Sequence, residues 1–458
     1  MAAAAPQQLR VMVLPFPAQG HVMPLMELSR RLVDHGFEVD FVNTDYNQAR
    51  VLASLAAAGE AGAAVQAGIN FISLPDGMGP DADRTDVVSL GQGLPAAMLG
   101  RLEELITARN TRWVVTDVSM TWARDLATTA GVRVALFLTY SAAMLALRAN
   151  LPKLIEDGII DGSGDVQRNE RIQLSPKMPA VAASELPWTH VGKNPESRRA
   201  LLQSAIKDKQ GYSLADAIVC NTFREIESDA LALLPKEPLV IGPLVASKST
   251  SASHFWPEDL TSLAWLDGQD PSSVVYVAFG SITVFDTTRL QELADGLVLI
   301  RRPFLWVVRP NFANGIDEGW LDEFRCRVGG MGLVVSWAPQ QRVLSHPSVA
   351  CFISHCGWNS TMEGVRHGVP FLCWPYFADQ FLNQSYICDI WGTGLRICAD
   401  EQGIVTKEEI KDKVAQLLGD EGIKARALSL KSRACASVVD GGSSHQDLLK
   451  FVNLLRKQ

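Results

Sequence analysis

The sequence predicts an α/β protein made of two open parallel sheets on either side of one linker. Near the amino terminus a strand at 11–15 is followed by a helix that begins near Val22 and by a second strand at 37–41. Between Pro243 and Pro257 the composition becomes Ser-rich and loses its periodicity, as is typical of an interdomain linker. The alternation of strands and helices resumes after the linker with an apolar strand at 274–279. Strands that alternate with helices indicate parallel sheets.

The first half of the chain continues this alternation. The first helix carries Leu25, Leu28 and Leu32 near one face, and Gly36 is positioned as its C-cap. The remaining elements predicted in this half are strands at 69–74, 112–116, 132–138, 217–220 and 239–242, a helix that ends at 108, and a helix at 122–130. Two segments rich in Gly, Pro and Asp, 75–93 and 157–170, are predicted to be long surface loops.

The second half repeats the pattern and ends in a helix. The elements predicted there are a helix at 287–299 and strands at 304–308, 333–336, 350–354 and 369–374. A Gly-Ser break at 440–444 precedes a last helix with apolar residues at Leu448, Phe451, Val452 and Leu455.

Composition and charge limit the kinds of partner. The 458 residues are 47% hydrophobic and 20% charged, as in an ordinary globular protein. The net charge is -8, so the chain has no excess of basic residues with which to bind nucleic acid or an anionic membrane. The longest apolar run, 134–147, is shorter than a bilayer span. With eight scattered cysteines and no obvious secretory signal, we expect reduced thiols, no membrane insertion and a cytosolic protein.

The most informative stretch runs from Trp337 to Gln380. A strand is followed by His-Cys-Gly and then by a helix, whose first amides and positive dipole end suit a pyrophosphate. Glu363, one turn further, is an acceptor suited to two adjacent ribose hydroxyls. Trp337 offers a face on which a base can stack. Asp379 and Gln380 follow the next strand and combine the acceptors and donors that sugar hydroxyls require.

Each of these residues also has a purely structural interpretation. Trp337 alone could be a core residue, and Glu363 alone a solvated helix charge. His355 beside Cys356 could indicate a metal, but no set of Cys and His at ligand spacing surrounds the pair. The order and spacing of the whole stretch favour the nucleotide-sugar interpretation.

The stretch resembles, from end to end, the C-terminal signature box of plant family-1 UDP-dependent glycosyltransferases. The resemblance implies the GT-B fold, in which two Rossmann-like doubly wound domains face a central cleft. It also implies binding roles for individual residues. Those expected to bind UDP are Ser281, Trp337, Ala338, Gln340, His355, Gly357, Trp358, Asn359, Ser360 and Glu363, and those expected to bind the transferred sugar are Tyr140, Ser141, Trp358, Asp379 and Gln380. A terminal Gln in this box favours UDP-glucose as the co-substrate.

Two residues at the carboxyl ends of first-domain strands suit general-base chemistry. His21 lies in the loop after the first strand, and Asp117 directly follows the strand at 112–116. Histidine has an ordinary pKa near neutrality, and a carboxylate on its other nitrogen would fix the tautomer. Taken alone, each could be a structural loop or cap residue. The resemblance makes them the expected catalytic dyad.

The resemblance implies a direct displacement that inverts the anomeric carbon and needs no metal or other cofactor. A hydroxyl of a small acceptor is expected to attack glucose, and a flavonoid or other phenolic is the preferred acceptor. Residues expected to line the acceptor pocket are Phe16, Met120, Trp122, Trp188 and Phe381, although all five could be core residues. Asp81-Ala82-Asp83 matches the Asp-x-Asp metal motif of other transferases, but it lies in a Gly/Pro-rich loop, and we interpret the match as chance.

Several alternatives stay open at this point. A UDP-sugar-binding sensor without catalysis and a nucleotide-sugar epimerase are the rival functions, and a terpenoid acceptor or C- or N-glycosylation are variants within the class.

The domain bounds are expected as follows. Residues 1–243 form the acceptor-binding domain, 244–260 the linker and 261–440 the donor-binding domain, and a helix at 441–458 packs back on the first domain. A monomer is expected.

Overall fold

The computed structural model of the protein describes residues 9–57, 59, 67–190, 195–244, 261–309, 312–313 and 317–457, and for 57 and 207–211 it describes the backbone alone. Almost all of the predicted linker, 244–260, therefore lies outside the described residues.

The chain divides into two compact units. Unit 1 comprises Met1–Glu170, Val191–Pro257 and Ala436–Gln458, and unit 2 comprises Arg171–His190 and Glu258–Cys435.

Unit 1 is built on a seven-stranded parallel sheet in the order β3-β2-β1-β4-β5-β8-β9. Its strands are β1 Leu9–Leu14, β2 Phe37–Thr44, β3 Ile69–Leu74, β4 Trp113–Asp117, β5 Arg133–Leu138, β8 Ala217–Cys220 and β9 Leu239–Val240. Its helices are α1 Gln19–Asp34, α2 Asp45–Ala57, α3 Val87–Ala108, α4 Thr121–Thr129, α5 Ala142–Ala149, α6 Leu151–Glu156, α7 Pro195–Leu214 and α8 Arg224–Ala232. The strands β1, β4 and β5 are almost wholly apolar and buried, which suits the centre of a sheet covered on both faces.

Unit 2 contains a six-stranded parallel sheet in the order β12-β11-β10-β13-β14-β15. Its strands are β10 Val274–Ala278, β11 Phe304–Val307, β12 Gly332–Val335, β13 Val349–Ser354, β14 Phe371–Cys373 and β15 Gly394–Arg396, and a separate antiparallel pair joins β6 Arg171–Ile172 to β7 Val181–Ala182. Its helices are α9 Thr261–Asp267, α10 Thr287–Ile300, α11 Glu318–Val328, α12 Gln340–Leu344, α13 Trp358–His367, α14 Gln380–Ser385 and α15 Lys407–Gly419. Two further helices close the chain, α16 Glu421–Val438 and α17 Ser443–Arg456.

The last helix, α17, belongs to the core of unit 1. Leu448, Phe451, Val452 and Leu455 are buried in the same apolar cluster as the strands β1 and β2. Its polar residues add to the attachment, because the Asp447 carboxylate accepts a hydrogen bond of 3.2 Å from the Val240 amide.

One loop prediction was wrong. The segment 75–93 was expected to be a surface loop, but α3 begins within it at Val87, and the Asp86 carboxylate caps the helix by accepting from the Val88 and Ser89 amides. The glycines that suggested a loop allow close packing instead. A Cβ at Gly91 would lie 3.5 Å from the Phe16 ring, and one at Gly93 would lie 3.4 Å from the Asp76 carbonyl oxygen.

The division into units differs from the expected domains at two segments. Residues 436–440 group with unit 1, although the donor domain was expected to extend to 440. Arg171–His190 groups with unit 2, although it lies inside the expected first domain, 1–243. The His190 ring stacks on Phe381 of the same unit, with centroids 4.7 Å apart. Arg171–His190 has no apolar periodicity, so its sequence does not indicate which part of the chain it packs against.

None of the described helices combines the length and the apolar character that a bilayer crossing demands.

Candidate active site

A histidine and an aspartate meet at the carboxyl ends of two adjacent strands of unit 1. The Nδ1 atom of His21 lies 2.8 Å from Oδ2 of Asp117. These residues come together because β1 and β4 are neighbours in register, with Leu14 beside Thr116. His21 then falls in the first turn of α1, and Asp117 ends β4.

The surroundings of this pair match a general base supported by a buried anion. The Asp117 side chain is fully buried, whereas the His21 side chain is 29% exposed. The other carboxylate oxygen of Asp117 accepts a hydrogen bond of 2.8 Å from the Ser119 amide, which holds the carboxylate in place. An ionised carboxylate accepts only, so Nδ1 of His21 carries the proton and Nε2 is left as the basic atom.

A third residue at this position was not found from the sequence. The hydroxyl of Thr139 lies 3.1 Å from Nδ1 of His21. Thr139 directly follows β5, whose carboxyl end lies beside that of β4. The family resemblance implied roles for the next two residues, Tyr140 and Ser141, instead. A polar residue at a strand end gives no sign by itself of the direction in which its side chain points.

Those two residues are engaged elsewhere in unit 1. The Tyr140 hydroxyl lies 2.7 Å from the Tyr212 hydroxyl. The Ser141 side chain is buried and caps α5 by accepting from the Met144 amide at 3.1 Å. The structure thus gives Ser141 a local role at the helix start, and sugar binding by Tyr140 and Ser141 stays a prediction.

The predicted acceptor residues differ in their surroundings. The ring of Phe16 lies against His21, with centroids 5.3 Å apart. Met120 and Trp122 lie at the start of α4, shortly after Asp117, and Met120 is buried while Trp122 is half-buried. Trp188, in unit 2, is also buried. Contact of these residues, and of Phe381, with an acceptor stays a prediction.

In unit 2 the predicted nucleotide residues follow three strands of one parallel sheet, β10, β12 and β13. Trp337 and Ala338 follow β12, and His355 follows β13. Trp337 is half-buried and Ala338 is buried. Cys356 has a left-handed backbone, with φ of 64°, which turns the chain sharply into α13. Gly357 is the N-cap of α13 and offers no side chain to its first turn, which contains Trp358, Asn359 and Ser360.

The imidazole of His355 is held between two glycines. A Cβ at Gly280 would lie 2.6 Å from its Nε2 atom, and a Cβ at Gly357 would lie 2.5 Å from it. Gly280 also has φ of 69°, a conformation that favours glycine. Burial is the main cause that lowers the pKa of His355 to about 4; a hydrogen bond to the Ala278 backbone opposes it, and the Arg309 cation acts in the same direction as burial. The imidazole is therefore neutral near pH 7 and carries a single N–H. Ser281, predicted to bind UDP, follows Gly280 and is half-buried.

A hydrogen-bond network surrounds Glu363, the predicted ribose ligand. Its Oε2 accepts from Gln340 Nε2 at 2.7 Å, and its Oε1 accepts from Gln341 Nε2 at 3.0 Å. Gln340 Nε2 also lies 2.8 Å from the Ser360 hydroxyl oxygen. Burial raises the pKa of Glu363, and the two glutamine hydrogen bonds oppose that rise. Each carboxylate oxygen has a second lone pair with which it can accept from a ligand.

Two of the predicted sugar residues, Asp379 and Gln380, lie at the start of α14. The side-chain carbonyl of Gln380 accepts from the Tyr376 and Phe377 amides, at 2.7 and 3.0 Å, so its amide nitrogen is the group suited to a ligand. Asp379 accepts from Asn383 Nδ2 at 2.9 Å. That same nitrogen donates to the Cys356 carbonyl at 2.9 Å. Asn383 thus connects the sugar residues to the turn before α13, a link that spacing alone could not indicate.

The Asp-x-Asp match shows no sign of a metal site. Its loop folds around Arg84, whose guanidinium donates to the Asp76 carboxylate and to the Gly79 and Ala82 carbonyls. Asp83 accepts from the amide of Thr85 at 2.8 Å. Over the described part of the chain, no group of three or more His, Cys, Asp or Glu side chains is arranged to hold a metal ion.

Comparison with known proteins identifies the class. Residues 256–434 match the family model described as "UDP-glucoronosyl and UDP-glucosyl transferase". The chain is similar to UDP-glycosyltransferase 83A1 of Arabidopsis thaliana, with 39% identity over 98% of this chain and 97% of that protein. It is also similar to 7-deoxyloganetin glucosyltransferase of Gardenia jasminoides, with 34% identity over 98% of each chain. The crystal structure of Os79 from O. sativa in complex with UDP covers 97% of this chain and 100% of its own at 29% identity, with a TM-score of 0.80.

The protein is therefore a hexosyltransferase of the GT-B fold that uses a UDP-sugar donor and a small-molecule acceptor. More particularly, the chain belongs to the plant family-1 UDP-dependent glycosyltransferases, the enzymes of plant secondary metabolism that the signature box indicated.

Proposed function

We propose that this protein is an inverting O-glucosyltransferase that moves glucose from UDP-glucose to a hydroxyl of a small plant secondary metabolite. The observation that carries this proposal is the contact of 2.8 Å between His21 and the fully buried Asp117. A sensor that only binds UDP-sugar has no use for an oriented base. An epimerase has no acceptor hydroxyl to deprotonate.

In the proposed reaction Nε2 of His21 takes the proton from the acceptor hydroxyl. The acceptor oxygen forms a bond to C1 of glucose as the bond from C1 to the UDP oxygen breaks, so one displacement inverts the configuration to a β-glucoside. The imidazolium that forms is stabilised by Asp117, which remains ionised. Proton transfer by an oriented base of this kind contributes about 10²- to 10⁴-fold to the rate.

The departing diphosphate is proposed to be stabilised without a metal. The amino-terminal end of α13 presents the positive end of the helix dipole, and the first-turn amides of Trp358, Asn359 and Ser360 are the donors. His355, neutral near pH 7, has a single N–H, which bonds to the Ala278 backbone, so the ring supports this turn from behind. These groups are in place before the charge develops, which is the condition for effective electrostatic stabilisation.

The donor is proposed to be held by three kinds of contact in unit 2. Trp337 stacks on uracil, with Ala338 and Gln340 beside it, and Glu363 accepts from the ribose hydroxyls. Asp379 and Gln380 bind the glucose. The amide nitrogen of Gln380 supports this role, because the Tyr376 and Phe377 amides fix the orientation of its side chain.

The preferred acceptor is a phenol, such as a flavonoid, because an apolar ring, Phe16, lies beside the base. An iridoid or other terpenoid alcohol is the second candidate, supported by the 34% identity to a 7-deoxyloganetin glucosyltransferase.

The test is an incubation of purified protein with UDP-glucose and a panel of flavonoids, phenolic acids, monolignols and terpenoid alcohols, with and without EDTA. UDP release and product mass are followed together, and the anomeric coupling constant of the product is read by NMR. We expect a β-O-glucoside in both conditions. UDP binding without transfer to any class would favour the sensor, isomerised UDP-sugar would favour the epimerase, and activity lost in EDTA would contradict the metal-free mechanism.

A further inference from the structure

A chain of hydrogen bonds runs from the interior of the unit 2 sheet to the carboxylate of Glu363. It begins at Tyr276, in the middle of β10, whose side chain is 1% exposed. The Tyr276 hydroxyl donates to Gln340 Oε1 at 3.1 Å. The ring is fixed by stacking on Phe352, with centroids 5.0 Å apart and planes at 26°. The hydroxyl is therefore held in a constant position.

The direction of this chain follows from donor and acceptor chemistry. A glutamine amide has two ends of nearly equal shape, an oxygen that accepts and a nitrogen that donates. Glu363 Oε2 is an acceptor, so the end of Gln340 that lies 2.7 Å from it must be the nitrogen. The oxygen of Gln340 then faces Tyr276, and the tyrosine must donate.

We propose that Tyr276 is a positioning residue for donor binding, and that its hydroxyl fixes the amide of Gln340 and thereby aims Glu363 at the ribose of the UDP-sugar. This inference rests on the proposed role of Glu363 as the ribose ligand. Tyr276 itself touches no substrate. Its apolar strand, VVYVA, gave no sequence signal for such a role.

The same amide serves a second residue of the nucleotide site. Gln340 Nε2 also bonds to the Ser360 hydroxyl oxygen at 2.8 Å, and that oxygen can accept this bond while it donates its own hydrogen to a phosphate. One tyrosine hydroxyl therefore anchors the oxygen of an amide whose nitrogen supports both the ribose ligand and a diphosphate ligand.

Removal of the hydroxyl has a defined consequence. In Tyr276→Phe the Gln340 oxygen faces a ring edge and loses its donor, so the amide is held only through its nitrogen, by Glu363 and Ser360. A buried amide oxygen without a donor is costly, so the Gln340 side chain shifts to find one, and its nitrogen leaves its place beside Glu363 Oε2. Glu363 then turns away from the ribose, whereas stacking on the base is unaffected.

The experiment compares the dissociation constants of UDP and 2′-deoxy-UDP by calorimetry. In the unmodified protein we expect 2′-deoxy-UDP to bind about tenfold more weakly, because it lacks one hydrogen bond to a charged group. In Tyr276→Phe we expect the ratio of the two constants to fall to within about twofold of unity. The control is Tyr386→Phe, which removes another buried tyrosine hydroxyl of unit 2 and should keep the original ratio.

A purely structural role would weaken both nucleotides equally in Tyr276→Phe and keep their ratio, and that result overturns the inference. Equal binding of the two nucleotides to the unmodified protein would instead contradict the ribose role of Glu363 itself, so the two failures are distinguishable. If Tyr276→Phe does not fold, Gln340→Met interrupts the same chain one step later, and a preserved ratio in that variant overturns the inference.

Discussion

At the scale of single residues, the chemistry expected of His21 depends on Asp117. The carboxylate is buried, is held by the Ser119 amide and lies 2.8 Å from Nδ1. It therefore selects the tautomer in which Nε2 is basic. The positions of His21 and Asp117 after two strands made them candidates, and the family resemblance made them the expected dyad. Thr139 gave no such signal, because its approach to the same nitrogen depends on the direction of one side chain.

Asp117→Asn tests this dependence. The amide can donate to Nδ1, which would leave the proton on Nε2 and remove the base, so we expect kcat to fall by about 10³-fold. The KM for UDP-glucose should change little. Steady-state kinetics with the donor and acceptor varied separately measure both values. A kcat within tenfold of the unmodified enzyme would mean that Asp117 does not set the tautomer.

At the scale of elements, the turn between β13 and α13 can hold the His355 ring because the residues packed against that ring are glycines. His355 fits only because Gly280 and Gly357 lack a Cβ. The strand, the turn and the helix could be predicted from the sequence. The packing of Gly280 against a residue about seventy-five positions away could not, since it follows from the pairing of β10 with β13.

Gly280→Ala tests the packing of this turn. The new methyl group would displace the His355 ring, and we expect the KM for UDP-glucose to rise about tenfold, the loss of roughly one hydrogen bond. The matched control is Gly403→Ala. Gly403 also has a positive φ, 78°, but a Cβ there meets nothing within 4 Å. An equal rise in KM in both variants would assign the effect to backbone strain instead of to His355.

A half-buried histidine at the end of α13, His367, should make the stability of the protein depend on pH. Burial, together with the nearby cations Arg366 and Lys431, lowers the pKa of His367 to about 4. The unfolded chain binds this proton near pH 6.5, so the folded state loses stability as the pH falls from 6.5 to 4, and none of this contribution changes above that range. His355 behaves in the same way.

His367→Gln should therefore reduce the pH dependence of stability. We expect the slope of the unfolding free energy between pH 4.5 and 6 to fall by about 1.4 kcal/mol per pH unit, the equivalent of one proton. Urea denaturation at several pH values, followed through the transition of unit 2, gives this slope. An unchanged slope would show that His367 titrates normally in the folded protein.

At the scale of the whole molecule, the end of the chain completes the core of its first half. The apolar face of α17 lies in the cluster of β1 and β2, and Ser444 donates to the Gly242 carbonyl at 2.6 Å. The apolar period of this helix was readable from the sequence. The assignment of Arg171–His190 to unit 2 was not, because it depends on contacts such as that of His190 with Phe381.

Phe451→Ala should destabilise unit 1 by about 3 to 5 kcal/mol, since the ring is fully buried and its removal leaves a cavity. Leu449→Ala, on the same helix but 36% exposed, is the control and should cost less than about 0.5 kcal/mol. Urea denaturation measures both. Similar effects in the two variants would mean that α17 does not pack on unit 1 through this face.

The central claim is that His21 is the base of a glucosyl transfer whose donor is bound by other residues. The most direct measurement is the transfer rate of His21→Ala together with its dissociation constant for UDP. We predict a rate at least about 10²-fold lower, with a UDP dissociation constant within about twofold of the unmodified protein. A variant that transfers glucose at the normal rate would contradict the claim.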